Sequence, residues 1–193
     1  AMVVSAESDF LLDRSTVPAA DAKTIAAMDG IEEAEPIGIS SANIKTDTST
    51  HLTGVSLFGV ESDGFIHPKI SDGTWLNETE NGVVIDNSLA KDGVGLGDSL
   101  AIEPDGVELT VIGITHDQTY RIAPVIYLPL PLWQQLQSEQ KGKPADGVTA
   151  ILVQGSNQAL AVIPDALPGL SVASKQEISD HIPGESEQNS TLL

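Results

Sequence analysis

The apolar and polar positions predict a strand–helix–strand unit at the start of the chain. The apolar run within residues 9–13 predicts a short strand, and the loose alternation of apolar and polar side chains over 37–44 predicts a second one. Between them, apolar residues recur at helical spacing over 19–28, and Gly30 is well placed to end that helix. The chain therefore opens with strand, helix, strand.

The same order of elements returns at the end of the chain. Residues 148–153 and 170–173 predict strands. Residues 157–163 predict the helix between them, which Pro164 should stop or kink because proline lacks a backbone donor. A last short helix is predicted over 175–181. Two strand–helix–strand units therefore bracket the middle of the chain.

The middle of the chain is rich in predicted strands. The sequence Pro104-Asp105-Gly106 separates two of them and is a strong signal for a hairpin turn. Residues 131–140 predict a helix, and 87–91 predict a single helical turn with its first residue as the cap. The predicted strands lie at 52–60, 82–86, 99–103, 107–114 and 124–128.

Together these elements predict an α+β protein with two lobes. One lobe holds the two β-α-β units, residues 1–49 and 148–193, and the other is a β-rich lobe inserted at 50–147. A chain of 193 residues can bury a substantial core without covalent staples. Cysteine is absent, so disulfide bonds and thiolate metal sites cannot form.

The charge of the chain argues against several partners. Asp and Glu number 28 against 9 Lys and Arg, which gives a formal net charge of −19. Nucleic acids and anionic lipid surfaces bind basic patches, and the few basic residues here are spread along the chain, so neither is an expected partner. The charge is typical of a surface kept soluble in an exposed compartment. No stretch of about 20 apolar residues is present to span a bilayer.

The residue types that usually carry chemistry form no recognisable site. The four histidines are far apart in sequence, and no G-x-S-x-G serine motif occurs. Two carboxylates suffice for a glycosidase, so counting acidic residues leaves that reaction open. Trp75 and Trp133 are expected to be core or lobe-packing residues rather than residues that stack on a ligand. The glycines at 93–97 lack the Lys and the helix of a phosphate loop and predict a tight turn before Ser99. We therefore expect no catalytic site, metal or cofactor.

Several segments occur in an order that is found in one protein family. The run GVVIDNSLA at 82–90 and GLGDSL at 95–100 give a strand, a short helix and a Gly-Asp turn, and GIEEAEP at 30–36 follows the first predicted helix. The strands at 111–114 and 124–128 come next. The closing IPGESEQNSTL is similar to a pattern that leads into a transmembrane helix, with Glu185 where the family often has an aromatic residue. In this order the segments resemble the MacB-like periplasmic core domain of FtsX/MacB-type ABC-transporter permeases, nearest to the DevC-like and HrtB-like groups.

The resemblance implies an extracytoplasmic domain between the first and second of four transmembrane helices, which fits the abrupt ends of the sequence. It implies a membrane-proximal, porter-like lobe and a sabre-like inserted lobe, in a homodimeric permease of the cell membrane. A separate cytosolic ATPase would bind ATP and drive export or extraction of a small amphipathic, haem, lipid or peptide cargo. The expected structural residues are Gly97 and Asp98 in a turn of the inserted lobe, and Pro183, Gly184 and Glu187 at the membrane junction.

Two other classes of function stay open from the sequence. A stand-alone extracellular binding or adhesion module would share the acidic α+β character, since a likeness of fold does not fix function. A degenerate hydrolase would need a triad or a metal set that the sequence does not assemble. Transmembrane segments in the parent gene on either side of this chain would separate the permease from the binding module.

Overall fold

The computed structural model describes residues 1–47, 49, 51–77, 81–174 and 177, and the chain divides into two compact units. Unit 1 contains residues 1–39 and the described residues from 134 onward, and unit 2 contains residues 40–133. Unit 1 is therefore assembled from both ends of the chain, and unit 2 is inserted between them.

The strands and helices are numbered along the chain. Unit 1 contains β1 Met2–Ser5, β2 Val17–Pro18, α1 Asp21–Ala26, the first part of β3 Ile31–Thr46, most of α3 Leu130–Lys141, β11 Gly147–Val148, β12 Ala150–Gly155, α4 Asn157–Ala166 and β13 Leu170–Ala173, together with 3₁₀ helices at Ala6–Ser8 and Leu12–Arg14. Unit 2 contains the rest of β3, β4 Thr53–Val60, β5 Ile70–Gly73, β6 Gly82–Asp86, α2 Asn87–Lys91, β7 Ser99–Glu103, β8 Val107–Thr115, β9 Thr119–Tyr120 and β10 Ala123–Pro129.

The main sheet of unit 1 has the strand order β13-β1-β12-β3, and each neighbouring pair is antiparallel. Consequently β1 runs parallel to β3, and β12 runs parallel to β13, with α1 and α4 in the two connections. This is the split β-α-β arrangement of ferredoxin-like folds. Both helices pack against β12. The buried apolar residues include Val3, Val4, Ile25, Ile151 and Ile163. The predicted arrangement of two β-α-β units is confirmed, but the first unit opens with β1 and not with the strand predicted at 9–13.

The strands of unit 2 pair in a closed ring. β4 and β10 are parallel, as are β6 and β8, while β10 and β6 are antiparallel. β7 pairs with both β8 and β3, and β3 pairs with β4, so the pairings β3-β4-β10-β6-β8-β7 return to their start. Closure protects strand edges that would otherwise be free to pair with another chain. The buried side chains of this unit include Leu57, Ile85, Leu100, Ile102, Leu109 and Ile126.

The predicted elements of the middle of the chain are confirmed where local turn signals mark them. β6, α2 and β7 have the predicted bounds, and β7 and β8 form the predicted hairpin around Pro104-Asp105-Gly106. The predicted helix at 131–140 is present as α3. These segments show that alternation together with a turn signal is enough to place a strand in this chain.

The strand predicted at 9–13 is wrong. Asp9 and Phe10 adopt left-handed conformations with φ of 50° and 60°, which turn the chain, and the 3₁₀ helix Leu12–Arg14 follows. A run of three apolar residues is too short to distinguish a strand from a buried turn. The first strand of the fold is β1 instead. α4 also differs from the prediction, because it continues past Pro164 to Ala166.

The chain passes from unit 1 to unit 2 between residues 39 and 40 and returns to unit 1 between residues 133 and 134. Both boundaries lie earlier in the chain than the lobe boundaries predicted at 49/50 and 147/148. Each change lies inside a continuous element, β3 or α3, so no turn or polar linker marks it in the sequence. The assignment of one lobe to the membrane side stays a prediction. The helix predicted at 175–181 lies outside the described residues, apart from Glu177.

Candidate functional site

A buried carboxylate, Asp86, organises polar contacts inside unit 2. Asp86 is 1% exposed and accepts hydrogen bonds from three donors: Gln118 N at 2.7 Å, Ser88 N at 3.0 Å and the Ser88 hydroxyl at 2.5 Å. The two backbone donors belong to different segments, so one side chain ties the start of α2 to the segment after β8. A carboxylate tolerates burial when such donors replace the water it has lost.

Asp86 reaches this position because it is the last residue of β6 and also the N-cap of α2. An Asp at this position accepts from the free N–H groups of the first helical turn. The sequence predicted Asn87 as the cap, and this is wrong. The Asn87 amide Nδ2 instead donates to Nδ1 of His116, 2.6 Å away.

The hydroxyl of Tyr127 extends the network from β10. Tyr127 is fully buried and donates to Gln118 Oε1 at 2.9 Å. Burial, and secondly the charge of Asp86, raise the pKa of the Tyr127 hydroxyl above its ordinary value. Gln118 is therefore held through its backbone by Asp86 and through its side chain by Tyr127, which fixes the segment that follows β8.

Tyr127 also belongs to a row of aromatic rings. Its ring centroid lies 5.8 Å from that of Phe58 and 5.4 Å from that of Trp75. Phe58 contacts Tyr120 at 5.4 Å, and Trp75 contacts His67 at 4.6 Å. Edge and tilted contacts at these distances are favourable for aromatic pairs. The row runs from Tyr120 on β9 to the exposed His67. Trp75, which was expected to be a core or lobe-packing residue, is half-buried within this row.

The described hydrogen bonds of this network differ from those of a serine–histidine pair. The Ser88 hydroxyl donates to the Asp86 carboxylate, whereas the serine of a Ser-His-Asp triad donates to a histidine. His116 accepts from Asn87 instead. Among the described residues, no group of three or more His, Asp or Glu side chains could hold a metal ion. The arrangement is suited to holding the segment at 116–120 in place.

Two of the predicted site residues, Gly97 and Asp98, lie in the tight turn before β7. Gly97 has a φ of 85° and donates its N–H to Val111 O at 2.8 Å. The Asp98 carboxylate accepts from Gly95 N at 2.7 Å. These bonds close the turn and join it to β8, and the turn predicted at 93–97 is confirmed. The other predicted residues, Pro183, Gly184 and Glu187, lie outside the described residues.

Trp133 is in the core, as predicted. It is 5% exposed, and its Nε1 donates to the Ser40 hydroxyl at 3.0 Å. Gly59 leaves room for it, since a Cβ at that position would collide with the Trp133 side chain.

The network of Asp86, Gln118 and Tyr127 was not predicted from the sequence. The available signal was an acidic residue directly between an apolar strand and a helical turn, which is typical of an N-cap. Nothing in the sequence joins that residue to Gln118, which is 32 positions further along the chain.

A ferredoxin-like unit interrupted by a closed β-rich unit is shared with several solved domains of transporter permeases. The chain matches the periplasmic region of MacB from Actinobacillus actinomycetemcomitans with a TM-score of 0.63 and 16% identity, over 96% of this chain and 93% of that one. It matches the extracellular domain of the noncanonic ABC-type transporter YknZ from Gram-positive bacteria with a TM-score of 0.63 and 14% identity, over 90% and 98%. A domain of a permease protein from Porphyromonas gingivalis gives 0.57 and 17%, over 86% and 82%.

The family model for the MacB-like periplasmic core domain matches residues 2–162. The chain belongs to this family, which confirms the resemblance drawn from its sequence. It is a periplasmic or extracellular domain of a MacB-like ABC-transporter permease. The closer likeness to the DevC-like and HrtB-like groups stays a prediction. No curated protein matches the chain. Among the described helices, none has the length and apolar character needed to cross a membrane.

Proposed function

We propose that this domain couples ATP hydrolysis by a separate cytosolic subunit to export or extraction of a small amphipathic, haem, lipid or peptide cargo. The match of residues 2–162 to the MacB-like periplasmic core domain carries the proposal. The parent permease would sit in the cell membrane with this domain on the outer side, and a second permease copy and the ATPase would be its partners.

The pairing of β1 with β13 supports this proposal. The two strands are antiparallel neighbours, with Val3 opposite Val172 and Ser5 opposite Leu170. The first and last strands of unit 1 therefore lie about 5 Å apart, the usual distance between paired strands. When a chain enters and leaves a domain at neighbouring positions, the domain can be inserted between two helices of a longer chain without separating those helices.

The contacts around Asp86 support a role without catalysis. Its carboxylate is occupied by donors of its own unit, and the Ser88 hydroxyl faces that carboxylate. We propose that the domain contributes no catalytic group and no cofactor, and that ATP is bound only by the separate subunit. The proposed roles of Gly97 and Asp98 are structural, as are those of Pro183, Gly184 and Glu187 where the chain would meet the membrane.

The first test is the sequence of the parent gene. We expect one transmembrane helix before this domain, three after it, and an ATPase gene beside it. A parent without such helices, in which this chain follows a secretion signal and precedes a surface anchor, would overturn the proposal in favour of a binding or adhesion module.

The second test is transport. The parent permease and its ATPase, purified together into proteoliposomes, are expected to move at least one of three fluorescent or absorbing probes, namely a lipid analogue, haem or an amphipathic peptide, only when ATP is present. A matched ATPase variant that cannot hydrolyse ATP is the control. Movement that is equal with and without hydrolysis would contradict the coupling.

A further inference from the structure

β13 is the end strand of the unit 1 sheet. Within the described part of the chain it pairs with β1 on one side and with no strand on the other. An end strand presents backbone N–H and C=O groups along its outer edge. Such an edge can bind a further strand through main-chain hydrogen bonds, whatever the side chains of that strand.

The register with β1 determines which groups of β13 point outward. Ala6 N donates to Gly169 O at 2.8 Å, in line with the pairing of β1 and β13. Hydrogen-bonded and non-hydrogen-bonded pairs alternate along antiparallel strands. Consequently Ser171 and Ala173 bond to β1, whereas the backbone groups of the remaining two residues, Leu170 and Val172, point away from it.

The N–H groups on either side of Val172 along this edge are already bonded. Leu170 N donates to Leu167 O at 3.2 Å, and Ser174 N donates to the Glu177 carboxylate at 2.8 Å. No hydrogen bond is found to the outward N–H and C=O of Val172 within the described residues. One donor and one acceptor on the same residue are therefore available to a strand that approaches β13.

The end strand on the opposite side of the 11-stranded sheet, β5, is protected against such pairing. Asp72 Oδ1 accepts from Gly73 N at 2.9 Å, and the register of β5 with β8 shifts between Ile70 and Asp72. Charged side chains and irregular registers keep edge strands from pairing with other chains. β13, with the sequence LSVA, has neither protection.

The surroundings of β13 carry very little charge. Residues 147–174, which include α4 and β13, contain one charged side chain, that of Asp165, although 19% of the whole chain is charged. α4 packs on β13 and exposes 45% of Val162. A second acidic copy can therefore approach β13 without placing like charges directly opposite one another.

We propose that two copies of this chain join through antiparallel pairing of their β13 strands, with Val172 opposite Val172 across a twofold axis. Each Val172 N donates to the Val172 O of the other copy, so the contact is self-complementary. The pairing produces a continuous sheet of eight strands, four from each copy, with both α4 helices on the same face. This inference rests on the proposed permease function, in which a second copy is a partner, and it assigns the surface that the copies share.

The contact suits copies that are already held together. Two hydrogen bonds contribute little in water, so isolated domains are expected to associate only weakly. Membrane helices that hold two permease copies side by side would raise the effective concentration of the domains to about the millimolar range, where a weak contact forms.

A cysteine at position 172 tests the pairing directly. The chain contains no cysteine, so Val172→Cys introduces the single thiol of the domain. Opposite residues of a hydrogen-bonded pair have Cα atoms about 5.5 Å apart, within the range of about 4.4–6.8 Å that a disulfide bond requires. We expect copper phenanthroline to convert a parent permease without other cysteines, in membranes of the cells that produce it, into a reducible dimer. Leu52→Cys, at an exposed position of unit 2, is the control that should stay largely monomeric.

A proline at the same position should separate the strands. Val172→Pro removes the outward N–H, and β1 does not use that group, so proline is compatible with this edge. The unfolding midpoint temperature should therefore change by at most about 4 °C. Spin labels on Gln158, an exposed residue of α4, report the distance between the two copies in the parent permease. We expect one narrow distribution for the unaltered chain and for the control Val172→Thr, and loss of that narrow distribution for Val172→Pro.

Several results would overturn the β13 pairing while leaving the transport function untouched. These are copies that co-purify but form no disulfide at position 172, a disulfide or other adduct that joins position 172 to a different protein, or equal distance distributions for Val172→Pro and the unaltered chain. If the proline variant does not fold, the disulfide experiment decides alone. Conversely, loss of ATP-driven transport in a permease that still crosslinks at position 172 would contradict only the transport function.

Discussion

A buried polar network in unit 1 and another in unit 2 satisfy their hydrogen bonds in different ways. In the unit 1 network the groups are hydroxyls: Thr149 Oγ1 accepts from Ile39 N at 2.8 Å and donates to Ile39 O at 3.1 Å, and the Ser15 hydroxyl donates to Thr149 O at 2.6 Å. Unit 1 also buries one carboxylate, that of Glu35, which is 3% exposed. In unit 2 the central group is the Asp86 carboxylate, which can only accept. A hydroxyl can satisfy a donor and an acceptor without bringing charge into the core, whereas a buried carboxylate depends on its full set of donors. The Asp86 network is therefore expected to be more sensitive to substitution than the Thr149 network.

The largest expected effect is that of Asp86→Ala. The substitution leaves the N–H groups of Ser88 and Gln118 without their acceptor inside unit 2. We expect the free energy of unfolding to fall by about 3–5 kcal/mol, measured by urea denaturation. Asp98→Ala is the matched control, because Asp98 is exposed and accepts one bond in a turn. Equal losses in the two variants would show that the buried network adds no stability.

A second effect tests how closely the strands of unit 2 approach one another. At Gly113 a Cβ would collide with the carbonyl oxygen of Thr74, which belongs to the backbone and cannot move freely. Gly113→Ala is expected to destabilise the chain by about 2–3 kcal/mol. At Gly97 the φ is 85° but no atom lies within 4 Å of a Cβ, so Gly97→Ala is expected to cost about 1 kcal/mol. Thermal unfolding distinguishes the two, and the reverse order would contradict this account.

The corresponding change in unit 1 is Thr149→Val. Valine keeps the shape of threonine but removes both hydrogen bonds to the backbone of Ile39. We expect a loss of about 1–3 kcal/mol in urea denaturation, smaller than that of Asp86→Ala because no charge is involved. Thr149→Ser restores the hydroxyl and should recover most of the loss. A serine variant as unstable as the valine variant would assign the effect to packing instead.

The smallest expected effect is a dependence of stability on pH that is caused by the Tyr127 hydroxyl. The folded-state pKa of Tyr127 is raised, so its contribution to stability is complete below the pKa of the unfolded chain, about 10. It declines above that pH, because the unfolded tyrosine ionises first. At neutral pH, Tyr127→Phe should cost about 1 kcal/mol. Above about pH 10 the unaltered chain should lose stability more steeply than the variant, by about 1.4 kcal/mol per pH unit.

Urea denaturation of both proteins between about pH 8 and 11 measures this difference, and taking the difference removes the groups that titrate in both. Parallel curves for the two proteins would show that the hydroxyl of Tyr127 is not buried in the way described. A hydroxyl-based network, such as that of Thr149 in unit 1, should show no corresponding slope.

The sequence predicted much of the fold but little of the candidate site. The hairpin around Pro104-Asp105-Gly106 was predicted because turn residues and alternation lie within a few positions of each other. By contrast, the strand predicted at 9–13 failed because a three-residue apolar run carries too little periodicity. The two-residue loop of the β9–β10 hairpin was missed for a related reason, since neither Arg121 nor Ile122 is a residue that signals a turn. The Asp86 network was overlooked because Gln118, which joins Asp86 to Tyr127, lies 32 positions beyond Asp86.

By itself, the sequence determined the class of the fold, the order of most elements and the family. These depend on local periodicity, on turn residues and on short segments kept in order along the chain. Only the tertiary structure decided that β7 closes a ring with β3 and that Asp86 accepts a hydrogen bond from Gln118 N. It also decided that Ile122, at the tip of the β9–β10 hairpin, is 97% exposed. The physical reason is that these features join residues far apart in sequence, where pairing and burial, rather than neighbouring residues, determine which groups meet.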